Sequence, residues 1–180
     1  MALVFSQLKT YLYNWAVANV PLGMPVIYYY PNAPRPTVDY VSLLISSLIQ
    51  VGWDYWPSPT DTAGDVIGIG DRDFTLQVQA YGGDPLTILE NLRTSLQKQT
   101  VLDSLRVNGI VFVSWFQIND ITDLVDSRYE QRATMDILFR VAQQSLDTNG
   151  TIAQLVTQEI ILNVEGDVVV DQTLTIPPTI

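Results

Sequence analysis

Three charged residues in succession, Asp71, Arg72 and Asp73, begin a predicted strand, so the two aspartates lie on one face and Arg72 on the other. Two carboxylates on one face could serve as the acid and base of a glycosidase. Aromatic residues that could stack on a sugar precede them in the chain: Trp53, Tyr55 and Trp56. Adjacent charges at the start of a strand more often form salt bridges or contact a partner. For Trp53 and Trp56, burial in an interface and burial in the core stay equally open.

Two further patterns resemble ligand sites only in part. Gly68-Ile-Gly70 is similar to the start of a dinucleotide fingerprint, but the third glycine is missing and the segment leads into a strand, not a helix. Glycines that open a strand after a loop explain it better. Asp120, Asp123 and Asp126 recur every three residues, without the alternate ligands, central glycine and closing glutamate of a calcium loop. Turns and caps explain these aspartates better than a metal site.

The absence of histidine and cysteine removes most other catalytic chemistry. The chain has no histidine base, no Ser-His-Asp triad, no thiolate nucleophile and no cysteine-ligated metal. An enzyme built from this sequence would depend on carboxylates, tyrosines, Lys9 or Lys98. We expect no catalytic, cofactor-binding or metal-binding residues among these patterns, and no cofactor.

The composition favours a protein that is partly covered by partner subunits. Of 180 residues, 47% are hydrophobic and 16% charged, whereas an average soluble domain has about 25% charged residues. Nineteen acidic and nine basic residues give a net charge of −10, which argues against a surface that grips nucleic acid. We expect one structural domain over 1–180, in which the acidic segment 147–180 forms a β-hairpin or arm.

The beginning of the chain lacks the basic leader and the continuous apolar stretch of a signal peptide. No apolar run approaches the ~20 residues that cross a bilayer. We therefore expect a soluble protein, made in the cytoplasm, that has no membrane partner.

Hydrophobic periodicity divides the chain into helices and strands. In the first half it predicts a helix over 3–18, strands over 26–30 and 40–49, a proline-rich loop over 31–36, a second loop over 57–66, and an alternating strand over 74–81. Next, Asp84 caps a predicted helix that begins at Pro85 and carries four leucines on its inner face: Leu86, Leu89, Leu92 and Leu96. After it, Thr100 caps a short predicted helix that ends near Gly109.

The rest of the chain has the pattern of strands. Residues 110–118 form one strand, 119–127 a polar loop, and alternation from Tyr129 to Val141 predicts a strand of about fourteen residues, roughly 45 Å long. The last forty residues contain five acids and no base, and strands over 160–164 and 168–176 flank a turn at 165–167. The fold class is α+β: an antiparallel sheet with long strands packed against two or three helices.

Four stretches, in this order, resemble one protein family. They are PNAPRP at 31–36, GDRDFTLQVQAYG at 70–82, LTILENLRTSL at 86–96 and YEQRATMDILFR at 129–140. Together they are similar to phage neck and tail terminator proteins, over roughly residues 20–145. The second stretch is the most specific of the four.

The resemblance implies a structural virion protein of the tail or neck that is not an enzyme, assembled in the host cytoplasm, with an α+β fold and no catalytic residues. Such a terminator forms a homohexameric ring that caps the head-proximal end of the tail tube and joins it to the head-side connector. Its partners are further copies of itself, the tube protein, the sheath where there is one, and a connector or adaptor protein. DNA is only passing cargo. The acidic segment after residue 147 is longer than the family pattern.

A ring suits this composition, because its subunits bury their sides in head-to-tail contacts. Six copies would carry a formal charge of roughly −60, and an acidic lumen would repel DNA in transit. We expect the end of the long strand near Arg140 and the C-terminal hairpin to reach a neighbour or the tube. The candidates for a subunit or partner interface are nine residues: Arg35, Trp53, Tyr55, Trp56, Asp71, Arg72, Asp73, Arg132 and Arg140.

Two alternatives stay open. The chain could be another neck or tail component, such as a stopper, a head-completion protein or a tube protein, and a tube protein would form filaments instead of discrete rings. It could instead be a glycan-binding module or a carboxylate glycosidase built around two tryptophans and two aspartates: Trp53, Trp56, Asp71 and Asp73.

Overall fold

The structure is a computed structural model that describes residues 4–29, 34–57, 65–125, 128–148, 155–162 and 168–176. For residues 125, 128, 155–162 and 168–176 it describes the backbone alone. The chain divides into two compact units. The larger comprises Met1–Tyr55 and Ile69–Gln144, and the smaller comprises Trp56–Gly68 and Ser145–Ile180.

Helices and strands both contribute to the described residues. The helices are α1 (Phe5–Asn19), α2 (Pro85–Ser95) and α3 (Gln99–Val107). The strands are β1 (Val26–Tyr28), β2 (Tyr40–Tyr55), β3 (Asp65–Tyr81), β4 (Ile110–Trp115), β5 (Asn119–Asp120), β6 (Asp123–Val125), β7 (Arg128–Glu130), β8 (Arg132–Thr148), β9 (Leu155–Leu162) and β10 (Val168–Ile176).

One sheet forms the centre of the larger unit. Its strand order is β1-β2-β3-β8-β4, with β5 paired to β8. The pairs β2–β3 and β4–β8 are antiparallel, whereas β1 runs parallel to β2 beside Val41–Leu43. The strands β2, β3 and β8 have 16, 17 and 17 residues, well above the usual 3–10. The predicted α+β fold with long strands is confirmed, and the parallel strand β1 is an addition to it.

Alternation along β3 and β8 gives the sheet a core face and an opposite face. Phe74, Leu76, Val78 and Ala80 of β3 are buried, while the intervening residues are only half-buried. On β8 the buried residues are Ala133, Met135, Ile137, Phe139 and Val141. These side chains form one hydrophobic cluster with residues of all three helices. The helices therefore cover one face of the sheet and leave the other to polar residues.

Phe139 lies at the centre of an aromatic group within this core. Its ring stacks on Phe74 with centroids 5.5 Å apart and meets Phe112 and Trp15 edge-on at 6.1 and 6.3 Å. The indole of Trp15 also donates a hydrogen bond to the buried Ser95 hydroxyl, at 3.0 Å. Because that bond satisfies the indole N–H, helix α1 can bury Trp15 against the sheet at little cost.

The start of α2 follows the predicted capping pattern. The Asp84 carboxylate accepts a hydrogen bond from the Thr87 backbone N–H at 3.2 Å, and Pro85 occupies the first turn. Hydrogen bonding by the Thr87 side chain and backbone lowers the pKa of Asp84. The predicted inner face is wrong at Leu86, which is 44% exposed. The buried stripe starts one residue earlier and follows helical spacing: Pro85, Ile88, Leu89 and Leu92.

The predicted start of α3 also needs correction. The helix begins at Gln99 after Lys98, without a side-chain cap, so Thr100 lies inside the helix and does not cap it. Its end near Gly109 is confirmed, since Gly109 has a φ of +73° directly after the C-cap Asn108.

Several strand boundaries differ from the predicted ones. Strand β2 continues past residue 49 to Tyr55, because the positive φ of Gly52 (+70°) and a register shift let the pairing with β3 resume at Ile69. Strand β3 begins at Asp65, so Gly68 and Gly70 lie within it and do not open it. The predicted polar loop 119–127 contains β5 and β6, and Tyr129 belongs to the separate strand β7.

Two further strands lie within residues 147–180, the segment predicted to form a β-hairpin or arm. Strands β9 and β10 of the smaller unit pair antiparallel with each other. The predicted turn 165–167 and much of the loops 31–36 and 57–66 lie outside the described residues. No helix in the described part of the chain is long and apolar enough to cross a membrane.

The aromatic group around Phe139 gives a direct test of the core. The Phe139→Ala substitution should lower the free energy of unfolding by about 3–5 kcal/mol, because it removes three ring contacts and leaves a cavity. Urea unfolding followed by tryptophan fluorescence measures this change. Phe116→Ala is the matched control, since Phe116 is 55% exposed, and it should cost less than about 1 kcal/mol. Equal losses for the two variants would contradict the placement of the core.

Candidate subunit interface

Strand β3 places Arg72 against a carboxylate that the sequence did not single out. The Arg72 guanidinium donates two hydrogen bonds to Asp54 of β2, Nη1 to Oδ1 at 2.8 Å and Nη2 to Oδ2 at 2.7 Å. This bidentate geometry is the strong form of an arginine–carboxylate bond. It also holds the pKa of Asp54 below its usual range. Gly70 makes room for the pair, because a Cβ there would lie 2.8 Å from Arg72 Nη1.

Asp73, the next residue, forms a second bidentate pair with Arg140 of β8. Arg140 Nε and Nη2 donate to the two carboxylate oxygens of Asp73 at 2.6 and 2.9 Å. Because neighbouring residues of a strand point to opposite faces, the two arginine–aspartate pairs lie on opposite faces of the sheet. They connect β2 to β3 and β3 to β8, so they fix the alignment of the three longest strands.

This geometry disfavours acid–base chemistry by Asp71 and Asp73. The hydrogen bonds from Arg140 lower the pKa of Asp73, so its carboxyl group is ionised at neutral pH. A glycosidase acid needs the opposite shift, because it must hold a proton to donate. Asp71 is exposed on the same face of β3. Asp73 therefore belongs to a structural ion pair with Arg140, and Asp71 is a solvated carboxylate beside it.

The aromatic residues of β2 extend into solvent at the end of the strand. Trp53 is 97% exposed and Tyr55 66%, and the apolar neighbours Ile49 and Ile69 are 60% and 42% exposed. Asp54 and Arg72 neutralise each other in the same region. We call the four exposed residues Ile49, Trp53, Tyr55 and Ile69 the apolar end of the sheet. Exposed apolar surfaces of this kind are typical of interaction sites.

The other end of β2 and β3 carries an arginine–tyrosine cluster. Tyr40 and Tyr81 are cross-strand partners whose rings stack at 4.4 Å with an angle of 5°. Arg35 Cζ lies 5.5 Å from the Tyr40 ring and 5.0 Å from the Tyr81 ring, and Arg35 also pairs with Glu130. Arg132 Cζ lies 5.7 Å from the Tyr81 ring. Both arginines are thus held against aromatic faces.

The nine predicted interface residues fall into separate groups instead of one site. Asp71, Arg72, Asp73 and Arg140 surround the start of the paired part of β3, near Trp53 and Tyr55 of the apolar end. Arg35 and Arg132 lie at the opposite end of the strands. Trp56 belongs to the smaller unit and is 47% exposed. The sequence analysis missed four partners, Tyr40, Asp54, Tyr81 and Glu130, because only the strand register reveals them.

The aspartates considered for a metal site have local roles. Asp120 accepts a hydrogen bond from the Thr122 backbone N–H at 2.9 Å, and Asp123 accepts one from the Leu124 backbone N–H at 2.8 Å. Hydrogen bonding by the Thr122 side chain and backbone lowers the pKa of Asp120. Asp126 lies outside the described residues. Within the described residues, no group of three or more acidic side chains is placed to hold a metal ion.

A comparison with known protein families indicates what kind of protein this chain is. The sequence model described as phage neck terminator protein matches residues 3–173 of the 180. The chain belongs to this family. A comparison with curated proteins finds no significant match. The phage neck terminator family is one of structural proteins, so the chain is a structural component of the phage neck, and the resemblance found in four stretches of the sequence is confirmed over nearly the whole chain.

In this neck terminator, the Asp73–Arg140 pair should stabilise the folded state. The Asp73→Asn substitution should lower the free energy of unfolding by about 1–2 kcal/mol, between the values for exposed and buried ion pairs, because it leaves Arg140 without its carboxylate. Urea unfolding at pH 7 measures this loss. The matched control is Asp71→Asn, which changes an exposed carboxylate two residues away and should cost less than about 0.5 kcal/mol.

The loss should also depend on pH with a defined sign. Arg140 lowers the pKa of Asp73 in the folded protein, so the pair stabilises the fold above the ordinary carboxyl pKa of about 4. Its contribution disappears as the pH falls through the lower folded-state value. The difference between the natural protein and Asp73→Asn should therefore be constant from pH 7 to pH 5 and shrink below about pH 4. A difference that grows in acid would refute this role of the pair.

Proposed function

We propose that this neck terminator forms a closed ring that caps the head-proximal end of the tail tube, joins the tube to the head-side connector and leaves a passage for DNA. The family match over residues 3–173 carries the proposal. The arrangement of exposed groups on the subunit supports it in three ways.

First, the subunit has two different surfaces at opposite ends of its long strands. The apolar end includes Tyr55, and the arginine–tyrosine cluster includes Tyr40, at the other end of the 16-residue strand β2. At ~3.3 Å per residue these ends are roughly 50 Å apart. A head-to-tail contact, which closes into a ring when the rotation permits, requires two unlike surfaces on each subunit.

Second, the sheet has strand edges that a neighbour can cover. Among the described strands, β1 pairs with β2 only at Val41–Leu43, so from Leu44 to Tyr55 β2 is paired on one side, with β3. Strand β4 forms the opposite edge of the main sheet, and Val111 and Val113 on it are 44% and 42% exposed. Long exposed edges are usually covered in natural proteins, and neighbouring subunits of a ring would cover these.

Third, the charge of the chain suits a channel for DNA. Each copy carries −10, so six copies would carry about −60. A surface of this sign repels phosphates and would let a genome pass without being held. The carboxylate-glycosidase alternative is disfavoured, since Asp73 is ionised and paired with Arg140.

The assembly state of the purified protein tests this function. Light-scattering mass and negative-stain images should show discrete rings, either for the protein alone or at one end of each tail tube after mixing. Filaments would instead indicate a tube protein. Monomers that leave tube ends unoccupied would overturn the proposed role.

The acidic C-terminal segment should contribute to assembly and not to the core. A chain truncated after Asp147 keeps the buried residues of β3 and β8, so its thermal unfolding should stay cooperative. Its rings, or its attachment to tube ends, should be weaker, because the segment is proposed to reach a neighbour or the tube. Circular dichroism and the light-scattering mass separate the two effects. A truncated protein that assembles like the full chain would refute the role of the segment.

A further inference from the structure

The outer edge of strand β2 lacks the features that usually prevent pairing with a further strand. Pairing with β1 ends at Leu43, so beyond it β2 is paired, among the described strands, with β3 alone. The eight residues 44–51, LISSLIQV, contain no charged residue and no proline. Natural proteins protect exposed edges with charges, prolines, bulges or short strands, and charges and prolines are missing along this edge.

Part of this edge is regular enough to receive another strand. A register shift at Ser46 bends β2, but from Ser47 to Val51 the strand pairs without interruption with residues 71–75 of β3. Because backbone groups alternate in direction along a strand, every second residue of this stretch directs its N–H and C=O away from β3. Leu48 and Ile49 are 44% and 60% exposed, so nothing in the described part of the chain covers them.

Strand β4 has a second edge of the same character. It pairs with β8 and forms the other end of the main sheet among the described strands. Its six residues, IVFVSW at 110–115, contain no charge and no proline, and Val111 and Val113 on it are exposed. Each subunit therefore has two uncharged edges, one on either side of a single sheet.

We propose that β4 of one copy pairs with the Ser47–Val51 stretch of β2 in the next copy, so that the main sheet continues from subunit to subunit. This inference rests on the proposed ring, for which it names the contact between subunits. The lengths agree, since β4 has six residues and the regular part of the β2 edge has five. Main-chain hydrogen bonds would supply the affinity of such a strand addition, and the exposed aliphatic side chains on both strands would be buried by it.

Pairing of unlike edges satisfies both edges of every subunit. Pairing of β2 with β2 would give a two-fold dimer in which β4 of each copy stays open. A contact between β2 and β4 uses one edge of each kind per subunit, so a closed ring leaves neither edge exposed.

The C-terminal strands fit the β2 edge less well than β4 does. Strands β9 and β10 pair with each other, and each contains an acidic residue, Glu159 in β9 and Asp171 in β10. A charge within a strand discourages pairing with a further strand. Because β4 contains no charge, it is the better partner for the uncharged edge of β2.

Disulfide cross-linking between copies tests this contact. The natural chain contains no cysteine, so every cross-link comes from the introduced residues. Full-length variants with a single cysteine at one position from 47 to 51 are mixed with Val111→Cys or Val113→Cys, assembled into rings or on tube ends, and oxidised. Paired strands place opposite Cα atoms roughly 4.5–5.5 Å apart, within the range that a disulfide spans.

At least one combination of a β2 and a β4 variant should give at least tenfold more linked dimer than the control. The control mixes the same β2 variant with Leu86→Cys on α2, since Leu86 is 44% exposed, as are Leu48 and Val111. A chain that carries both cysteines of the best combination should give a ladder of linked copies up to the number in the ring. Cross-links between β2 variants alone, a ladder that stops at two copies, or no cross-link above the control would overturn the proposal.

A charge on the edge measures the contribution of the contact to assembly. Leu48→Lys should raise the protein concentration needed for half-maximal assembly at least tenfold, because a lysine on an edge strand opposes strand pairing. Leu86→Lys changes an equally exposed leucine on α2 and should leave that concentration unchanged.

The outcomes for this contact and for the ring are distinguishable. Natural protein that forms rings without any effect of Leu48→Lys and without cross-links between β2 and β4 would refute this contact and leave the ring intact. Natural protein that neither forms rings nor occupies tube ends would refute the ring itself. Should Leu48→Lys fail to fold, the cross-links alone decide.

Discussion

The burial of one face of β3 and β8 beneath the helices is the constraint on which the rest of the molecule depends. Because side chains alternate along a strand, every second residue from Phe74 to Ala80 and from Ala133 to Val141 is committed to the core. A register shift of one residue along β8 would turn the charged Arg140 into the core position that Phe139 occupies. The packed core does not admit that charge. The same alternation therefore fixes which charged residues can meet on the open face.

The charged residues of the sheet align its long strands. Asp54–Arg72 connects β2 to β3, and Asp73–Arg140 connects β3 to β8. In a chain with 16% charged residues, these pairs consume much of the basic charge near the sheet. The surface that remains is apolar around Trp53. Such a surface fits a structural protein of the phage neck, in which neighbouring proteins supply the missing contacts.

The sequence predicts those parts of the fold that local patterns determine. Two-residue alternation identifies β3 and β8, and Asp84 followed by Pro85 identifies the start of α2. Local patterns could not predict that Gly52 lets β2 continue to Tyr55, because the continuation depends on pairing with β3. They also could not predict Asp54 as the partner of Arg72, or the Tyr40–Tyr81 stack, since both arise from the register between strands far apart in the sequence. The nine interface residues therefore stay a prediction made from residue type, and local patterns could not predict how those residues group on the folded chain.

We propose that this chain is a structural element between proteins at the junction of head and tail. Electron cryomicroscopy of purified virions, at a resolution that traces side chains in the neck, is the measurement that tests this role. We expect several copies of the chain in a closed ring at the head end of the tail, with the apolar end around Trp53 covered by neighbouring proteins. A neck that lacks the chain, or one in which the apolar end faces solvent, would contradict this role.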